Sequence, residues 1–313
     1  MFNFPFPRPC VFEASPRPPT RIARRAPIAA LFAGALLVSV SASAIIRRHD
    51  VPDFRYRELG EGYRQAFVEG IVPGDGAPML GNGNGTLVAP EWILTAAHVA
   101  AALPAGGKAD GAKPANVAIN GIWYPVESVH LHPDWKGNDS PEDIALIKLA
   151  ERVPGAKPAC LYPGSDEVGR TAVLVGTGGT GDGITGPRKL DGKIRGATIR
   201  IGSIEKSGMQ LAWRFKGPTD PQATPVEGIS GPGDSGGPAF LNHKGRLCVA
   251  GVSSAQEGNG LKSGRYGVTE FYPRVSYFRK WLEKVMAGAV SPGASGADRE
   301  KAPAPGAAPA PGP

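Results

Sequence analysis

The chain has 313 residues, of which 41% are apolar and 20% charged. This is enough for one large domain or two small ones with a sizeable core, and it excludes a wholly disordered protein. The net charge of +7 is unevenly placed: Arg8, Arg17, Arg21, Arg24 and Arg25 against Glu13 put +4 in residues 1–44, and only +3 remains beyond them, with no Lys/Arg cluster interleaved with aromatics, which argues against a nucleic-acid partner.

In chain order, the first segment reads as an export signal. An Arg-rich stretch ends at Arg24-Arg25, an apolar run covers 28–40, and Ser41-Ala42-Ser43-Ala44 closes it with an A-x-A cleavage pattern. The apolar run is short for a span of about 20 residues. Residues 1–44 are therefore expected to be removed, leaving no stable membrane span and a secreted or periplasmic protein. The alternative is an uncleaved anchor. Cys10 leaves with this segment, so the exported chain keeps Cys160 and Cys248. They are either a disulfide or two buried thiols.

Strand-like segments dominate the next part, at 85–88, 92–95, 117–119, 144–149, 172–175, 198–201, 239–241 and 247–253. Turn residues separate them at short intervals, which predicts an all-β barrel or sandwich rather than βαβ units. Late in the chain, Tyr277, Phe278, Trp281, Leu282 and Val285 recur at helical spacing and predict an amphipathic terminal helix over 276–286. The Ala/Gly/Pro-rich residues 287–313 cannot bury a core and read as a disordered or extended tail.

Three motifs carry chemistry: Leu94-Thr95-Ala96-Ala97-His98, Asp143-Ile144-Ala145-Leu146 and Gly233-Asp234-Ser235-Gly236-Gly237-Pro238. A serine hydroxyl needs a neutral imidazole as its base, and the imidazole needs a carboxylate on its other nitrogen. His98, Asp143 and Ser235 supply these three groups, with Asp139 and Glu142 as rival carboxylates. Residues 233–237 also fit the nucleophile elbow of α/β-hydrolases. That fold needs an acid and then a histidine after the serine, and only His243 follows.

The three blocks, in this order, resemble those of the trypsin-like serine protease family. The match extends to Gly85-Thr86-Leu87-Val88-Ala89-Pro90-Glu91-Trp92-Ile93, His132-Pro133 and Tyr272-Pro273-Arg274-Val275. The resemblance implies an all-β fold of two antiparallel six-stranded Greek-key barrels, about 45–160 and 161–275, with a C-terminal helix. It implies a monomeric serine endopeptidase that cleaves polypeptides through an acyl-enzyme. Catalysis falls to His98, Asp143 and Ser235, and the oxyanion hole to the backbone N–H groups of Gly233 and Ser235. No cofactor or metal is implied, since the histidines and cysteines lack ligand spacing. Other readings of the same residues are a catalytically silent binding module and an esterase using the same triad.

The resemblance also implies that a freed amino terminus pairs with Asp234. Ile45-Ile46 follow the A-x-A site directly, so the cut after Ala44 would itself create the activating terminus, although Arg47-Arg48 replace the family's glycines. The cysteines that usually bracket the histidine are Asn84 and Val99, and Gly231 replaces the one beside the specificity pocket. Ile229 stands where the pocket floor is expected, which favours an apolar or small substrate side chain, while Glu270 on the pocket wall would accept a basic one. Ser254 is expected near Asp143. The 253–256 stretch, including Gln256, is expected to pair with substrate backbone as an added strand.

Overall fold

The short Val/Ile/Leu/Thr runs become strands because such side chains suit a pleated, half-buried surface. The computed structural model describes residues 44–73, 83–104, 115–137 and 140–288. The expected leader apart from Ala44, the tail beyond Gly288 and the rival Asp139 lie outside the described residues.

The described chain opens with β1 (Ile46–Arg47) and α1 (Asp53–Glu61). The first barrel follows: β2 (Phe67–Val68), β3 (Gly70–Val72), β4 (Gly85–Ala89), β5 (Trp92–Thr95), β6 (Asn116–Ile119), β7 (Ile122–Leu131) and β8 (Ala145–Leu149), with the single helical turn α2 (Ala97–Ala100) after β5. Their pairing order is β2-β4-β5-β8-β7-β6-β3. Only Glu69 separates β2 from β3, so the two form one bent strand, bonded to β4 through Phe67↔Thr86 and to β6 through Gly70↔Ala118. The ring thus closes on six strands and leaves no open edge. Leu87, Ile93, Leu94, Leu146 and Ile147 fill it.

The second half comprises β9 (Cys160–Leu161), β10 (Thr171–Gly176), β11 (Gly179–Asp182), β12 (Gly186–Leu190), β13 (Arg195–Arg200), β14 (Ser203–Ile204), β15 (Gln210–Arg214), β16 (Gly228–Ile229), β17 (Pro238–His243), β18 (Arg246–Val252), β19 (Ala255–Glu257), β20 (Thr269–Pro273) and α3 (Val275–Met286). β10 pairs with β13 and β17, β17 with β18, β14 with β15, and β15 with β20. β13 continues into β14, and a Gly251↔Arg274 bridge joins β18 to the end of β20, closing a second six-stranded ring. Leu174, Ile199, Leu211, Trp213 and Leu241 form its core. β9 lies parallel to β18, where Cys160 faces Cys248 and is bonded to it as a disulfide. The expected two-barrel, all-β architecture with a terminal helix is therefore present.

Two details differ from expectation. Residues 45–56 do not belong with the first barrel: Ile45, Ile46, Val51 and Tyr56 pack in the second core. β1 pairs with β11 and β16, and α1 lies against β13 so closely that a Cβ on Gly60 would come within 2.6 Å of the Arg195 backbone. On α3 the buried face is Val275, Phe278, Leu282 and Val285, packed on the first barrel's core, whereas Tyr277 is 48% exposed. Arg274 and Ser276 anchor the start of α3 on the buried Glu167 carboxylate, at 2.9, 2.9 and 2.6 Å.

Arg195 clamps α1. Its guanidinium is 2% exposed and takes Asp53 at 2.7 and 3.1 Å and Asp191 at 2.8 and 2.9 Å. Arg195→Met removes the cation and leaves two carboxylates facing each other. Urea unfolding is expected to register a loss of roughly 2–3 kcal/mol, below that of a wholly buried pair because both acids keep some solvent. Arg57→Ala, which removes an exposed partner of Asp53, is expected to stay within about 0.5 kcal/mol.

Candidate active site

At the end of β5 the chain turns sharply into α2, and His98 occupies that turn. Asp143, just before β8, is fully buried beneath it. One carboxylate oxygen accepts the His98 backbone N–H at 2.8 Å. The other accepts His98 Nδ1 at 2.6 Å and Ser254 Oγ at 2.6 Å. A carboxylate offers only acceptors, so Nδ1 carries the proton and the Nε2 lone pair of the neutral ring is free to act as a base. Glu142 instead accepts from Ser140 Oγ, outside this cluster. Asp143 is the described carboxylate that reaches His98, and Ser254 lies beside it, as expected.

Ser235 sits on the turn between β16 and β17. Asp234 N–H bonds Gly231 O at 3.0 Å, and Gly237 N–H bonds Asp234 O at 2.8 Å. Gly233 has φ +95°, a conformation that side chains disfavour. A Cβ on Gly236 would overlap Thr95 Oγ1 and Asn84 O. Gly236 N–H is bonded to Ser253 O at 2.8 Å, whereas the N–H groups of Gly233 and Ser235 have no partner among the described residues. Ser235 lines a pocket of about 180 Å³ with Ser230, Ser253, Gln256 and Ser263. No Ser235–His98 hydrogen bond is formed among the described residues. Such bonds are often long in unliganded sites and tighten on the substrate.

Asn84 does not face Val99 as the expected cysteine positions require; Gly83 does, and Asn84 instead ties the two motifs together. Its C=O accepts Thr95 Oγ1 at 2.7 Å, and its N–H donates to Ser235 O at 2.7 Å. Its side-chain amide bonds Glu69 O at 3.0 Å and Thr177 Oγ1 at 2.8 Å, joining the two barrels. Where the family would have a disulfide, Gly83 packs against Val99: a Cβ there would lie 2.5 Å from Val99 Cγ1.

Asp234 points away from the pocket and is buried. The N–H groups of Gly178 and Gly231 each donate to it at 3.0 Å, and Gly176 makes room, since any Cβ there would collide with the carboxyl. No Lys, Arg or His forms an ion pair with it among the described residues, and burial pushes its pKa up to about 7. With the chain continuous through Ala44, Ile45 has no ammonium, and its side chain lies in the second core.

The specificity residues need correction. Ile229 does not line the pocket: it is fully buried in the second core and paired with Ile46, because alternate residues of a strand face opposite ways. Its neighbour Ser230 takes the wall instead. Glu270 is not on the wall either. It is fully buried behind Ser230 and Gln256, and desolvation raises it to about 7. Gln256 does line the pocket.

Asp234 and Glu270 bind a proton more tightly in the folded chain than in the unfolded one. The folded chain therefore holds extra protons between about pH 4 and pH 7, and their contribution makes stability fall as pH rises through that window. His130 and His132, lowered by burial, act in the opposite sense. The comparison with variants is thus the informative one. The melting temperature of the uncut chain, relative to Asp234→Asn and to Glu270→Gln, is expected to decline from about pH 4.5 to about pH 7.5. Parallel curves would contradict this.

A family model described as Trypsin matches residues 78–282. Melanization protease 1 of Drosophila melanogaster is 30% identical over 234 residues, 64% of this chain and 56% of that protein. Serine protease 56 of Homo sapiens is 30% identical over 231 residues, 69% of this chain and 36% of that protein. The Trypsin of Saccharopolyspora erythraea is 28% identical over 240 residues, 72% of this chain and 94% of that protein. The chain thus spans about half or less of the first two relatives and nearly all of the third. By the extent of the family match, the chain belongs to the trypsin family of serine proteases.

Proposed function

We propose that this chain is a secreted or periplasmic serine endopeptidase acting on polypeptides through an acyl-enzyme on Ser235. The observation that carries the reading is the 2.6 Å contact between His98 Nδ1 and the buried Asp143. Ser235 Oγ attacks the substrate carbonyl carbon while its proton passes to His98 Nε2. The N–H groups of Gly233 and Ser235 hold the resulting oxyanion. Collapse breaks the C–N bond, and the amine leaves with the proton from His98. Water, deprotonated by His98, then attacks the ester and releases the acid and Ser235. A fluorophosphonate probe is expected to label the wild type at Ser235, to fail on Ser235→Ala, and to react at least about a hundredfold more slowly with His98→Ala. Unchanged labelling of Ser235→Ala would contradict the assignment.

The same reading extends to activation. A cut after Ala44 would give Ile45 an α-ammonium that pairs with Asp234 and orders the oxyanion turn. The buried Asp234 carboxyl, with no ion-pair partner among the described residues, supports this, because an unpaired buried charge is costly. Extending the mature terminus by one residue ahead of Ile45 is expected to lower kcat/KM by about a hundredfold or more. Full activity of the extended form would sink the idea.

A further inference from the structure

We propose that Gln256 sets the depth of the substrate side-chain pocket by lying across its base on Glu270, so that the enzyme prefers a short, uncharged residue before the cleaved bond. This rests on the reading of Ser235 as the nucleophile. The Gln256 amide is fixed at both ends. Nε2 donates to Ser230 O at 2.6 Å and to Glu270 Oε1 at 3.0 Å. Oε1 accepts Ser263 Oγ at 2.7 Å and Gly264 N–H at 3.3 Å. Both amide hydrogens and both lone pairs are used, so the group is held as a strap between the Ser230 and Ser263 sides of the cup.

Glu270 lies behind the strap. Its Oε1 also accepts Ser230 N–H at 2.9 Å and Ser230 Oγ, and its Oε2 accepts Trp213 Nε1 at 3.0 Å. A Lys or Arg side chain cannot reach Oε1 without displacing the Gln256 amide, at a cost of about 1 kcal/mol for each hydrogen bond broken. A large apolar side chain would meet a wall of Ser230, Ser253, Gln256 and Ser263 and strand their polar atoms. A short side chain leaves the network intact. The preference for small residues thus arises from Gln256 rather than Ile229, and Glu270 acts as the anchor of the strap rather than as a receptor for cations.

The test is kcat/KM on peptides that differ only before the scissile bond, with Ala, Ser, Phe, Lys and Arg. Wild type, Gln256→Gly and Gln256→Gly/Glu270→Gln are compared, each normalised to the amount of Ser235 labelled by a fluorophosphonate. Wild type is expected to favour Ala and Ser by about tenfold or more over Phe, Lys and Arg. Gln256→Gly uncovers Glu270 and is expected to raise Lys and Arg relative to Ala by about tenfold or more, a gain that the double variant loses. Labelled wild type that cleaves after Lys, Arg or Phe as well as after Ala overturns the proposal, as does an unchanged order in Gln256→Gly. Wild type that neither labels nor cleaves any peptide overturns the nucleophile reading and this proposal with it.

Discussion

The Asp143 carboxylate has no access to water and accepts three hydrogen bonds, from the His98 backbone, the His98 ring and Ser254 Oγ. Burying such a charge costs several kcal/mol unless donors replace its hydration. Two of those donors come from the turn after β5 and the third from the chain after β18, so the charge is satisfied only when both barrels are in place. Asn84 adds a second tie at the same seam, linking Ser235 and Thr177 on one side to Thr95 and Glu69 on the other. The arrangement of His98 relative to the Ser235 turn is thus a consequence of how the barrels close and meet, not of either motif alone.

The other two buried carboxyls near the pocket show how differently one chemical group can be used. Asp143 accepts from three donors, one of them the His98 imidazole. Asp234 has backbone N–H donors but no paired cation among the described residues. Glu270 is held by Ser230, Gln256 and Trp213, all neutral donors. The three carboxyls thus differ in their surroundings: an imidazole and a hydroxyl beside Asp143, backbone N–H groups around Asp234, and neutral side chains around Glu270.

Much of this was legible in the sequence. Apolar runs between turns located eight of the twenty described strands, most of these within a residue or two, as at Trp92–Thr95, where all four residues are buried and the run itself is the trace. The motifs around His98 and Ser235 were readable because each is tightly constrained: Gly236 by the contact with Thr95 and Asn84 that excludes a Cβ, and His98 by a one-turn helix. Helix α1 was missed, since Asp53–Glu61 is mostly charged and its docking depends on the remote Arg195. Ile229 was misplaced because counting back from the nucleophile does not say which face of β16 a residue takes; its register with Ile46, far away in the chain, decides that. The Gln256–Glu270 contact was equally invisible, since it forms only through the β19–β20 register.

The most direct test of Ser235 as the nucleophile is to trap the covalent intermediate. The enzyme would be mixed with an activated ester, quenched in acid after milliseconds, and digested for mass mapping. The mechanism predicts the acyl group on the peptide carrying Ser235, and no stable adduct in Ser235→Ala. Turnover with the acyl group on another residue, or undiminished turnover by Ser235→Ala, would contradict it.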